Sequence, residues 1–196
     1  FPTAEPSEMM RDTVFCAQCH QGPNVQHYDE PMWCTSTFDS HQHFYVPMGG
    51  TQSCQDCHMR NQGGHRFPPN YQDKAQTSKR LQEWIDLNVT TVGYRMKPNA
   101  TEFIPLAVIN TEVVSRIGHR FPDGCPSPNR VTLDIRVTTM DGKELYTETK
   151  TYMPQHSLGY DDHTMVYAAK RKLTLMRDTS LHPFVPKKET IEVRLP

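Results

Sequence analysis

Cys54-Gln-Asp-Cys57-His58-Met59-Arg60-Asn61-Gln62-Gly63-Gly64-His65-Arg66-Phe67-Pro68 is the stretch from which the rest of the chain is read. It opens with a CxxCH and, seven residues after His58, places a second histidine in the string Gly-His-Arg-Phe-Pro. Both halves recur. Cys16-Ala-Gln-Cys19-His20 repeats the first, and Gly118-His119-Arg120-Phe121-Pro122 repeats the second, 54 positions on. With 6 cysteines and 10 histidines in 196 residues, a chance CxxCH is expected about 0.01 times, yet the motif occurs twice.

The chemistry that needs this spacing is covalent haem attachment. Two thiols three residues apart add to the two vinyl groups of one porphyrin, and the adjoining histidine comes to lie under the iron. The competing reading is zinc, because Cys16/Cys19 with Cys54/Cys57 is also a CxxC…CxxC layout. Zinc, however, does not require a histidine directly after both pairs. Two covalently attached c-type haems are therefore expected, held by Cys16, Cys19, Cys54 and Cys57, with His20 and His58 as proximal ligands.

The repeated Gly-His-Arg-Phe-Pro suits the opposite face of a haem. Glycine permits close approach of the backbone to a flat cofactor, and histidine offers an imidazole whose second nitrogen can bond a carbonyl. Arg66 and Arg120 can fork onto a propionate. Phe67 and Phe121 can pack on the porphyrin, and proline stiffens the loop. His65 and His119 are thus the expected distal ligands. Seven residues is a tight return to the iron of His58, which favours His65 for the other haem and His119 for the haem of His58; the sequence leaves the pairing open. The competing reading is two similar turns with hydrogen-bonded histidines.

Charge and composition narrow the rest. A net charge of −1 and a pI near 6.9 give no sign of nucleic acid or of an acidic membrane surface as partner. A mean hydropathy of −0.69 with 36% apolar residues is low for a compact chain of this size. A porphyrin supplies the missing apolar body. No apolar run approaches a membrane-spanning length.

Residues 1–15 read as a lead-in. Val25–Gly50 carries His27, His41 and His43 among Trp33, Phe38, Phe44 and Tyr45, aromatics suited to covering porphyrin faces. Each of these histidines reads as a surface or hydrogen-bonding residue, with iron ligation as the alternative, His43 and His27 ahead of His41. Gln72–Arg80 reads as a polar linker or short helix. The period then changes to two: Ile85, Leu87 and Val89 alternate with polar residues, as do Val131, Leu133, Ile135 and Val137, and later Ile191, Val193 and Leu195. Phe103–Val114, broken by Pro105, reads as a strand covered on both faces, and Asp141-Gly142 marks a hairpin into Glu144–Thr151. The expected fold is mixed: an irregular, haem-packed region over residues 1–80 and an antiparallel, immunoglobulin-like β-sandwich over residues 81–196. His156, His163 and His182 read as surface residues of the β region. Asn88 and Asn99 begin glycosylation sequons.

These features resemble the multihaem c-type cytochromes whose haem segment precedes an immunoglobulin-like β domain. The resemblance rests on Cys54–Met59 followed by His65-Arg66-Phe67, on Asn110 and Gly118–Gly124, and on Asp178-Thr179-Ser180-Leu181-His182-Pro183. It implies an exported protein, periplasmic or at the cell surface, since haem of this type is attached outside the cytoplasm; the start at Phe1 agrees with a removed signal peptide. Two cysteines, Cys34 and Cys125, remain outside the CxxCH motifs, and in an exported chain they read as a disulfide. Only two haem motifs are present, fewer than in the larger members of the family, which favours electron transfer over catalysis. Expected partners are redox proteins and, by the same resemblance, further copies of the chain in an extracellular, electron-conducting filament. The alternatives are a haem enzyme of peroxidase or nitrogen-oxide reductase type with one open iron, and a zinc-binding β module.

Overall fold

A computed structural model describes residues 7–23, 33–59, 73–93, 105–123, 130–157, 165–166 and 174–196. Its fold is mixed, with short helices first and antiparallel sheets after them. A single 3-10 turn, Glu8–Arg11, leads into helix α1, Thr13–His20. Strands β1, Gln21–Pro23, and β2, Trp33–Ser36, form a small antiparallel ribbon. Helix α2, Thr37–Ser40, runs on as a π-helical turn, His41–Tyr45. Gly50 closes this region beneath the Tyr45 ring, where a Cβ would collide with the aromatic carbons. Helix α3, Cys54–His58, follows.

Helix α4 spans Lys74–Trp84, capped by the Asp73 side chain, which accepts from the Gln76 N–H at 3.0 Å. The polar stretch around residue 80 is therefore the middle of a helix that passes directly into strand β3, Ile85–Val92. Strand β4, Leu106–Ser115, is paired on both sides, with β3 and with β10, Lys187–Arg194. None of its residues is exposed, as expected for a strand enclosed on both faces. β10 and β3 are the two edges of this sheet, and in β3 the alternation does not translate into burial: Leu87 and Val89 are 52% and 54% exposed.

Strands β5, Val131–Thr138, and β6, Glu144–Tyr152, form the expected hairpin, with Gly142 at a φ of +87°, a conformation glycine adopts without strain. Strands β7, Pro154–Ser157, β8, Met165–Val166, and β9, Thr174–Asp178, make a further three-stranded sheet in the order β8-β7-β9. The core lies between sheets. Ile135 of β5 packs with Ile191 and Val193 of β10, supported by Ala107 and Ile109 of β4 and by Leu145 and Tyr146 of β6. A second cluster joins Val113, Tyr152 and Leu181, flanked by Ile85, Val131 and Leu133. No helix among the described residues is long and apolar enough to cross a membrane.

Candidate functional site

Both CxxCH motifs are helical. α1 ends in Cys16, Cys19 and His20, and α3 consists of one whole motif, Cys54–His58. Spacings of three and four residues set the two thiols and the histidine of each motif on one helix face. A helix as short as α3 depends on its cap. Ser53 Oγ accepts from the Asp56 N–H at 3.1 Å, and the Asp56 carboxylate accepts from the Ser53 N–H at 2.8 Å, a complete capping box.

The two motifs are brought together. The Gln55 amide donates to the carbonyls of Met10, at 3.0 Å, and Asp12, at 2.9 Å, tying α3 to the start of α1. The Cys16 and Cys54 side chains lie close enough to influence each other. None of the four motif cysteines is in a disulfide among the described residues. Burial, aided by the neighbouring Cys16, pushes the Cys54 thiol up to about 11, and burial raises Cys16 as well. Among the described residues, no three His, Cys, Asp or Glu side chains are grouped so as to hold a metal ion, as a four-cysteine zinc site requires.

After β4 the chain turns through residues 116–123 and carries His119 to face His58. The two imidazole centroids are 6.3 Å apart and the ring planes lie 17° from parallel. His119 Nδ1 is 2.9 Å from the Arg120 carbonyl oxygen. A carbonyl only accepts, so Nδ1 bears the proton and Nε2 keeps a lone pair. Burial pulls the His119 pKa below the ordinary imidazole range, outweighing the carbonyl bond and the nearby Asp123 carboxylate, so the ring is neutral. A metal–imidazole bond is about 2.0–2.1 Å and a ring nitrogen lies about 1.1 Å from its centroid, so imidazoles on opposite sides of one metal stand about 6.2–6.4 Å apart. The His58–His119 spacing is of that size, and two imidazoles are a donor set that suits iron.

Other residues singled out on the sequence are placed as follows. Arg120 is buried. Its side chain is only 6% exposed and its donors are committed to two carboxylates, Asp123 and Asp178. Phe121 is half-buried and fixed through its backbone, paired with Leu181 by two 2.8 Å hydrogen bonds. A Cβ on Gly118 would meet the His41 and Tyr45 rings at ordinary contact distance, so the glycine answers no close approach of protein atoms there.

His41 is buried and hydrogen-bonded through both ring nitrogens. Its Nε2 donates to the Gln52 carbonyl at 3.0 Å, and its Nδ1 accepts from the Gln42 amide at 3.1 Å. His43 is on the surface, 3.2 Å from Asp39. His182, expected at the surface, has a side chain only 19% exposed; it stacks on Phe44 with centroids 4.3 Å apart and lies 3.4 Å from Asp178. His20, at the exposed end of α1, carries the first motif's imidazole. His27, His65, Arg66, Phe67, Asn99, Cys125 and His163 lie outside the described residues, as does any test of a Cys34–Cys125 bridge.

The residues that sequence reasoning missed are those that hold the loop carrying His119: Ser40, Asp123 and Asp178. Asp178 stood in a conspicuous string, but its partner Arg120 is 58 positions away, and no local spacing reports such a pair.

The fold has a counterpart among solved structures. This chain is similar to the crystal structure of a penta-heme cytochrome c552 from Thermochromatium tepidum, with a TM-score of 0.61 at 16% sequence identity over 95% of this chain. The fold is like that of a multihaem c-type cytochrome. The match covers 45% of the cytochrome c552 chain, so the present chain spans under half of its length. No protein-family model and no curated protein matches the sequence.

Proposed function

We propose that this chain is an electron-transfer protein holding two covalently attached c-type haems, each ligated by two histidines. The observation that carries this reading is the His58–His119 pair, 6.3 Å apart and nearly parallel, with His58 closing the Cys54–His58 motif. Cys54 and Cys57 would bond one porphyrin, with His58 and His119 as its axial ligands. Cys16, Cys19 and His20 would hold the second, with His65 as its distal ligand. Bound haem supplies a one-electron iron couple, placed at low potential by two imidazoles. The chain supplies spacing and insulation. Its two attachment sites share one cluster, through the Cys16–Cys54 contact and the Gln55 bonds, which suits transfer between adjacent haems.

The reading takes residues 81–196 as an immunoglobulin-like sandwich that brackets the haem layer and presents His119 from the β4–β5 loop. It also takes the protein as exported, with Cys34 and Cys125 bridged, and as capable of end-to-end assembly into a filament.

Optical and EPR spectra with an intact mass on protein matured in a haem-attaching host test the proposal. The expected result is a mass of polypeptide plus two haems and low-spin bis-histidine spectra in both oxidation states. A bare polypeptide mass overturns it. A high-spin ferrous haem that binds carbon monoxide readily moves the assignment to an enzyme with an open iron.

A further inference from the structure

Arg120 stands next to the candidate ligand, and each of its polar groups is engaged. The backbone N–H donates to Ser40 Oγ at 2.8 Å, and the carbonyl accepts from His119 Nδ1 at 2.9 Å. Nε donates to Asp123 Oδ1 at 2.9 Å, Nη2 lies 2.8 Å from the same oxygen, and Nη1 donates to Asp178 Oδ2 at 3.0 Å. The carboxylates are themselves fastened. Asp123 Oδ2 accepts from the Thr37 hydroxyl at 2.6 Å, and Asp178 Oδ1 accepts from the Ser180 N–H at 2.9 Å. Arg120 is thus the junction of α2, the β4–β5 loop and the segment after β9.

We propose that Arg120 is a positioning residue for the His119 imidazole, its clamped guanidinium fixing the carbonyl that receives the Nδ1 proton. That carbonyl sets the tautomer, and its placement sets the direction in which Nε2 points. The inference rests on the reading of His119 as an iron ligand. A buried ion pair is a poor way simply to stabilise a loop, because desolvation offsets much of the attraction and apolar packing often does as well. A planar fork held by two carboxylates fixes orientation, which apolar packing does not. The same bonds couple ligand and scaffold: Ser40 and Thr37 belong to α2 in the N-terminal region, while Asp178 ends a strand of the sheets.

The test uses the holoprotein with Arg120→Gln, Arg120→Lys, Ser40→Ala and the control His119→Ala, read by ferric EPR and by cyanide titration. In Arg120→Gln both haems should stay attached, while one low-spin signal shifts and cyanide displaces an axial ligand at that haem with about tenfold higher apparent affinity. Arg120→Lys, which keeps the charge without the fork, should fall between. Ser40→Ala removes only the bond to the Arg120 N–H and should shift the same haem in the same direction. If Arg120→Gln does not fold, Ser40→Ala decides. Unchanged signals and cyanide affinities within about twofold of wild type in the Arg120 and Ser40 variants, with His119→Ala turning high-spin, overturn the positioning role and leave the ligand reading standing. A His119→Ala protein that keeps its low-spin spectrum overturns the ligand reading itself.

Discussion

At the residue scale, Asp178 gives a prediction that needs no cofactor chemistry. Burial works against its charge, yet the bonds from His182 and Ser180 and the charge of Arg120 outweigh burial and hold the carboxyl well below the usual carboxylate range. A carboxylate with a depressed folded pKa binds its proton more readily when the chain unfolds. Its contribution is therefore complete above the unfolded value, about pH 4, and is lost as pH falls further. Thermal melts from pH 6 to pH 2 should show wild type losing stability below about pH 4. Asp178→Asn should be flatter over that window and, at pH 6, less stable by about 3 kcal/mol, because Arg120 loses one of two buried partners. Equal slopes for the two proteins would place the acid sensitivity elsewhere. The contrast between His119 and Arg120 shows what a motif carries. The repeated pentapeptide marked His119 because an imidazole's chemistry is local. It did not point to the Arg120–Asp178 pair, because the carboxylate that recruits a guanidinium is chosen by the fold.

At the element scale, α3 is the least self-sufficient part of the candidate site. It is five residues long and buries none of them, so it has no apolar face to pack and its cap carries unusual weight. Ser53→Ala should cost about 1 kcal/mol of stability. It should also lower the fraction of chains loaded with haem at Cys54 and Cys57, measured as the ratio of singly to doubly loaded protein by intact mass. A capped control, Ser53→Thr, should load normally. Strands were legible in the sequence where one face is covered: Val131, Leu133, Ile135 and Val137 alternate because β5 faces β10. The same alternation in β3 predicted the strand but not its exposure, since period records pleating and says nothing of what covers the apolar face. The helical form of the CxxCH motifs was not legible. α1 and α3 are fixed by caps and neighbours rather than by an apolar stripe, and the sheet of β7, β8 and β9 lacks a sustained period-two pattern for a related reason: its strands are two to five residues long.

At the scale of the whole molecule, two buried clusters divide the labour. The cluster of Ile135, Ile191 and Val193 holds sheet against sheet. The cluster of Val113, Tyr152 and Leu181 sits beside the loop that carries His119, because Leu181 is fully buried and its backbone is paired with Phe121, two residues beyond that histidine. Removing bulk from either should cost a similar amount, about 3 kcal/mol for Ile191→Ala or Leu181→Ala, since both side chains are almost wholly enclosed. The consequences for the ligand should differ. Ile191→Ala leaves the Arg120–Asp178 tie and the Phe121–Leu181 pairing untouched, so a holoprotein held well below its melting temperature should keep wild-type EPR signals. Leu181→Ala opens a cavity under the strand-like pair that steadies the loop, so one haem should lose low-spin intensity at the same temperature while the other stays unchanged. Measuring both variants at equal distance below their own melting temperatures separates loss of fold from loss of ligand placement. Identical spectra for the two would mean that the sheets carry His119 as one rigid body, with no role for the local pairing at Leu181.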